Sequence, residues 1–186
     1  MVLERAEAEK IVKENVNGQF LFNHMLATEA IMRGCAKFLG EDEDKWALCG
    51  LLHDIDFEKT KDDPIKHGVL GVEILKEKDV PEEILTAILA HNYMNPDAPA
   101  RTTKMDHMLV AADAMTGLVV ACAMVKEKKI ENVSEKTIKK AFKKKGFAAG
   151  SKREMIMECE TAGIPYEKLV EISLEAMKGI SEELGL

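Results

Sequence analysis

The feature that most constrains the fold is the run MLVAADAMTGLVVACAMV, from Met108 to Val125, which is apolar apart from Asp113, Thr116 and Gly117. The run is nearly long enough to span a bilayer, but an aspartate near the middle of a membrane is costly. It is therefore expected to be a buried core helix with other helices packed around it. The rest of the chain can supply them. Ala, Leu, Met, Glu and Lys are abundant, aromatic residues make up only 5%, and strand-like runs of Val, Ile, Thr and Tyr are missing. The expected fold is all-α, a single-domain helical bundle, and 186 residues suffice to bury one core.

Turn signals set the expected helices. The first runs from about Leu3 to Val16 and stops at Asn17-Gly18, and the second from about Phe20 to Leu39, stopping at Gly40. The third begins near Asp42-Glu43 and carries WALCGLLHDID, after which comes the polar loop EKTKDD. Pro64 is well placed to start the fourth with Asp63 as its N-cap, and Pro81 to start the fifth, which ends near Tyr93. The sixth is long, from about Thr103 to Lys126. Ser134 opens a basic helix that ends at Gly146, Ser151 opens another, and Pro165 starts the last, which ends near Leu184.

The formal net charge is −7, which argues against broad nucleic-acid binding. A small anion held at a local positive centre is still allowed. Cys35, Cys49, Cys122 and Cys159 are far apart and sit among apolar residues, as expected of buried thiols in a reducing compartment. The charged start MVLERAEAEK is unlike a signal peptide, so a cytoplasmic protein without a membrane partner is expected.

Four of the five histidines fall on the apolar stripe of an expected helix. His24 is in line with Leu21, Thr28 and Ile31, and His53 with Trp46, Cys49 and Gly50. His67 shares a face with Leu70 and Ile74, and His91 with Ile84, Ala87 and Ile88. A lone histidine on such a face is more often a hydrogen-bonded core residue than a ligand. Four in consecutive helix-sized segments all need partners for their ring nitrogens, and a shared metal provides them at once. Asp113 is expected to be buried with no nearby cation, which a metal ion would also answer. Asp54 follows His53, and at a helix end both can reach one ion. With two oxygens, Asp54 can also bridge two ions. Imidazole and carboxylate together suit Fe, Mn, Zn, Co or Ni better than Ca.

The pattern His24, His53-Asp54 in LLHDID, then Asp113, resembles the HD-domain metal-dependent phosphohydrolase superfamily, which is all-helical. The resemblance covers about Phe20 to Val125, so a metal-site core of about 20–125 and a helical extension of about 130–186 are expected within one HD-type domain. It implies that His24, His53, Asp54 and Asp113 ligate one metal, and that His67 and His91 stand where binuclear members hold a second ion, with Asp54 as the bridge. One or two divalent transition-metal ions are thus the expected cofactors. The chain departs from common members in reading HDID where many have HDIG, which puts Asp56 at the turn. It also reads His91-Asn92 where some have His-His, which points away from the cyclic-dinucleotide phosphodiesterases.

The activity implied is phosphate-ester hydrolysis of a nucleotide or another small phosphorylated metabolite, with metal-activated water as nucleophile and Asp54 as the catalytic carboxylate that orients or deprotonates it. Positive groups for the phosphate are sought first in the loop after HDID, where Lys59, Lys61 and Lys66 lie, and then in KKKGFAAGSKRE, with Lys145, Lys152 and Arg153. Arg153 is the preferred single candidate in the second segment. His107 is read as a surface or supporting residue. Two other readings compete: the mixed-valent di-iron oxygenase branch, which uses the same ligand types, and a non-catalytic HD ligand-binding module, which typically lacks some ligands.

Overall fold

In the computed structural model, residues 3–144 and 146–186 are described; Lys145, one of the basic residues considered above, lies outside them. The helices are α1 (Arg5–Asn15), α2 (Gln19–Leu39), α3 (Glu43–Leu52), α4 (Phe57–Thr60), α5 (Val69–Leu75), α6 (Glu82–His91) and α7 (Lys104–Met124). They continue as α8 (Glu135–Lys143), α9 (Arg153–Ile156), α10 (Glu158–Thr161), α11 (Tyr166–Gly179) and α12 (Ser181–Leu184). No strand occurs among the described residues.

The apolar run forms α7, which is long and apolar enough to cross a membrane by length and composition. Here it is the central post of the bundle, packed by α2, α6, α8, α9, α10 and α11. Its start is set by a capping box: Thr103 accepts from the Asp106 amide, and the Asp106 carboxylate accepts from the Thr103 amide. Met108, Leu109, Met115, Leu118 and Val119 are wholly buried, each worth about 1.5–3 kcal/mol of apolar transfer. All four cysteines are free and buried, as expected.

The helix bounds depart from expectation in several places: α3 ends at Leu52, before HDID, part of the expected loop EKTKDD is helical as α4, and the last helix is interrupted at Ile180 between α11 and α12. The segment after Pro64 is not one helix: a 3-10 turn (Pro64–Lys66) is followed by His67 in extended backbone and Gly68 at φ +82° before α5 begins. Asp63 makes no side-chain cap; its carboxylate pairs with Lys66 instead, at 3.0 Å. The segment after Ser151 is broken into α9 and α10, with Met157 between them.

One close approach positions the site. α3 packs most extensively on α2, and Gly50 sits against the α2 backbone. A Cβ at Gly50 would lie 2.7 Å from the Thr28 carbonyl oxygen. From that contact His24 lies one turn back along α2 and His53 one turn forward along α3, so the two imidazoles meet.

Candidate metal centre

His24 projects from α2, His53 caps the C-terminus of α3, Asp54 follows in the turn, and Asp113 comes from α7. His67 arrives on the extended residue before Gly68, and His91 is the last residue of α6. These six side chains converge as two clusters, His24–His53–Asp113 and Asp54–His67–His91, with ligand atoms in each within 4.8 Å of one another.

Asp54 joins the two. Its Oδ2 is 3.5 Å from His24 Nε2 and 3.4 Å from His53 Nε2. Its Oδ1 is 3.2 Å from His67 Nε2 and 3.5 Å from His91 Nε2. One oxygen thus faces each cluster. On the first cluster His24 Nε2 also lies 3.1 Å from Asp113 Oδ1.

Tautomers follow from the outer partners. His53 Nδ1 is 2.8 Å from the Gly50 carbonyl, and His91 Nδ1 faces the Ile88 carbonyl. A carbonyl only accepts, so both rings carry a proton on Nδ1 and turn the Nε2 lone pair inward when neutral. These lone pairs meet His24 Nε2 at 3.3 Å and His67 Nε2 at 2.9 Å. Inward-facing lone pairs around a carboxylate form a donor set suited to cations, and the mixed nitrogen–oxygen character fits divalent transition metals.

The electrostatics agree. Burial lowers the pKa of His53 and keeps it neutral. Burial also opposes a proton on His24, but Asp113 and Asp54 outweigh it and raise its pKa. The same contest at His67, against Asp54 and Asp56, lifts the pKa to about 10. For Asp54, burial opposes ionisation, but the surrounding histidines hold it well below the usual carboxylate range. Each cluster therefore contains a histidine that favours a proton in the metal-free protein, at a place where a cation would relieve the same negative charge.

Two residues that serve the second cluster escaped the sequence reading. Asp56 has no exposed surface. Its carboxylate accepts from His67 Nδ1 at 2.8 Å and from the amides of Gly68 at 2.8 Å and Gly71 at 2.7 Å. It thereby fixes the His67 ring with Nε2 toward Asp54. Gly68 lets the chain pass against α6: a Cβ there would lie 2.8 Å from the Ile88 carbonyl oxygen, and its φ of +82° already disfavours a side chain. The departure from HDIG was visible, but that the new carboxylate points at an imidazole eleven residues on was not.

Other expectations are corrected. Asp113 is not enclosed: its side chain is 38% exposed, because this face of α7 borders a cavity that His24 and His91 also line. Arg153 does not face that cavity. Its guanidinium donates to the carbonyls of Ala141, Phe142, Phe147, Ala148 and Ser151, tying the end of α8 to the following loop. Lys66 is exposed and paired with Asp63, Lys61 is exposed, and neither lines the cavity. Lys59 donates to Asn15. The basic groups on the cavity wall are Lys128 and Lys152; the second belongs to the segment considered above, one residue before Arg153. His107 is partly buried and its Nδ1 pairs with Glu158, away from the six ligands.

Comparison with known proteins agrees with this geometry. The HD domain matches residues 21–118, more than half the chain. Ribonuclease Y of Thermotoga petrophila is 26% identical over 178 residues, covering 90% of this chain and 33% of the relative. Ribonuclease Y of Desulfotalea psychrophila is 33% identical over 100 residues, covering 54% of this chain and 18% of the relative. Ribonuclease Y of Lactobacillus acidophilus is 25% identical over 174 residues, covering 90% and 31%. The chain thus spans a third or less of the length of these relatives. No solved structure gives a significant match. With the HD profile running from the start of α2 through His24, His53, Asp54, His67, His91 and Asp113 into α7, this chain belongs to the HD-domain family.

Proposed function

We propose that this protein is a metal-dependent phosphohydrolase, a phosphomonoesterase or phosphodiesterase acting on a nucleotide or another small phosphorylated metabolite. The observation that carries this reading is the division of the Asp54 carboxylate between two histidine clusters, each with the donors for a cation. His24, His53, Asp54 and Asp113 would hold one ion and Asp54, His67 and His91 the other. Bound divalent ions supply an acidified water and neutralise charge on phosphoryl oxygens.

The chain's own residues do the rest. Asp54 keeps an ionised oxygen toward each cluster and so can accept a hydrogen bond from an attacking water. The Gly50 and Ile88 carbonyls hold His53 and His91 in the tautomer that presents Nε2 inward. Lys152 and Lys128, on the wall of the adjoining cavity, are the cations placed to attract a phosphate. The ribonuclease name of the relatives supports phosphoester chemistry, while the net charge of −7 favours a small substrate over a polyanion for this chain.

The test is a panel of phosphomonoesters and phosphodiesters assayed with metal-stripped protein reloaded with Mn, Fe, Co, Ni or Zn. Hydrolysis that requires metal and disappears in His53→Ala and Asp54→Ala is expected. Oxygen uptake by an iron-loaded protein that releases no phosphate would instead establish the oxygenase reading. No reaction of either kind would leave a ligand-binding module.

A further inference from the structure

The candidate metal centre forms one end of a cavity of about 620 Å³, within the range of small-molecule sites. His24, His91 and Asp113 face it at that end. From there it follows one face of α7, where Ala114, Gly117 and Ala121 recur at i, i+3 and i+7 and leave an open floor. Val120, Met124 and Met155 add apolar wall.

Polar side chains in this wall are largely committed to the protein. Asn23 donates its amide to the Leu184 carbonyl at 3.1 Å, and the Thr116 hydroxyl donates to the Ala112 carbonyl at 2.9 Å. Lys152 Nζ stands 3.7 Å from the centre of the Tyr93 ring. One buried hydroxyl is uncommitted: Ser151, 7% exposed, lines the cavity beside Gly117, and its Oγ has no hydrogen-bond partner among the described residues. A sugar placed along this floor would lose water from several hydroxyls and find few partners, because Ser151 is the one buried uncommitted hydroxyl of the lining and the other free polar groups, Lys128 and the Tyr93 hydroxyl, belong to solvent-exposed residues. An apolar group would lose nothing and would gain its transfer free energy.

Resting on the phosphohydrolase reading, we infer that the substrate is a phosphomonoester of a predominantly apolar alcohol, aryl or branched alkyl. Its phosphate lies at the histidine–aspartate centre and its apolar part runs along the Ala114–Gly117–Ala121 floor past Ser151. In the reaction a water oxygen bonds to phosphorus, the P–O bond to the alcohol breaks, and the alcohol leaves with a proton, giving inorganic phosphate. A polar sugar phosphate or a nucleotide is the poorer substrate.

The experiment compares 1-naphthyl phosphate with ribose 5-phosphate as substrates of the Mn-loaded protein. In parallel, calorimetry compares binding of 1-naphthylmethylphosphonate with methylphosphonate, neither of which can be hydrolysed at the phosphorus. The naphthyl compound is expected to lead by about 100-fold in both assays, the order given by burying roughly 110 Å² of apolar surface at about 25 cal/mol per Å². Ala121→Leu should cut both ratios at least about tenfold while metal content stays at the wild-type level. Hydrolysis with ribose 5-phosphate equal or better overturns the apolar-substrate inference and leaves the phosphohydrolase reading standing. Tight naphthylmethylphosphonate binding without turnover of any ester upholds the cavity assignment and overturns the hydrolase reading. Equal binding of the two phosphonates, in wild type and variant alike, overturns the cavity assignment.

Discussion

The two halves of the candidate metal centre are built differently. The first cluster sits on regular helices: His24 within α2, His53 at the end of α3 and Asp113 within α7. Its register is set by one helix–helix contact at Gly50. The second hangs on irregular backbone: Asp54 in a turn, His67 in an extended residue before a positive-φ glycine, and His91 at a helix end. It needs a buried carboxylate, Asp56, to aim one of its rings. The difference teaches that a helix framework can hold a ligand by packing alone, whereas a loop-borne ligand requires hydrogen bonds that fix it in place.

Asp54 is the residue the two halves share, so its removal gives the largest expected effect. Asp54→Ala should lose both ions and at least about 1000-fold in turnover, a loss of roughly 4 kcal/mol of transition-state stabilisation. Metal content by plasma emission and kcat/KM on the best substrate check this. A variant that keeps one ion at full affinity would break the account of Asp54 as the bridge.

Asp56→Asn separates the halves. It should weaken the ion at His67 and His91 by about 10–100-fold and leave the ion at His24, His53 and Asp113 in place. Two-site metal titration of the apoprotein reads both events. Nitrogen-15 spectra across pH should show His67 of the metal-free variant giving up its proton at lower pH than in the wild type, because Asp56 is one of the two carboxylates that raise its pKa, a change that a purely structural role for Asp56 would not produce.

Gly50→Ala tests the helical half. The added methyl meets backbone at Thr28 and Glu29 rather than a movable side chain. A loss of about 1–3 kcal/mol in unfolding free energy is expected, together with weaker metal binding at the first cluster. Equal weakening at both clusters, seen in the same titration, would argue that the two are not independently positioned.

The smallest effect, counted per pH unit, is on pH dependence. Without metal, the pKa of His67 is raised from 6.5 to about 10. A raised folded-state value means its contribution to stability is complete below about pH 6.5 and is lost as the pH rises through about 10. Metal must displace that proton, so affinity at the second cluster should climb with pH up to about 10, by no more than about tenfold per pH unit from this group. Metal titrations at a series of pH values check this. Affinity that is flat across the same range would contradict protonation of His67 among the carboxylates.

The same contrast explains what the sequence made legible. Helix periodicity placed His24 and His53 correctly and identified α7 as the core, because packing energy repeats every 3.6 residues along the chain. His67 does converge with Asp54 and His91, but helix periodicity is an incomplete reason for it. It was expected on the stripe of a continuous helix, and Gly68 at φ +82° breaks that helix just after it. Asp56, Gly50 and Gly68 act through contacts with residues far along the chain, and no local pattern encodes those. Arg153 looked like a phosphate ligand because a guanidinium near glycines suits one; the end of α8 and the loop after it present a ring of carbonyls that takes all its donors. Asp113 was expected to be enclosed because its helix is apolar, yet the face it shares with Ala114 and Gly117 borders the cavity.

The central claim is that Asp54 joins two cation sites of unequal construction. Anomalous diffraction from crystals of the Mn-loaded protein, collected near the manganese edge, tests it most directly. The account predicts two anomalous peaks flanking Asp54, one among His24, His53 and Asp113 and the other beside His67 and His91. A single peak, or peaks away from Asp54, would contradict it.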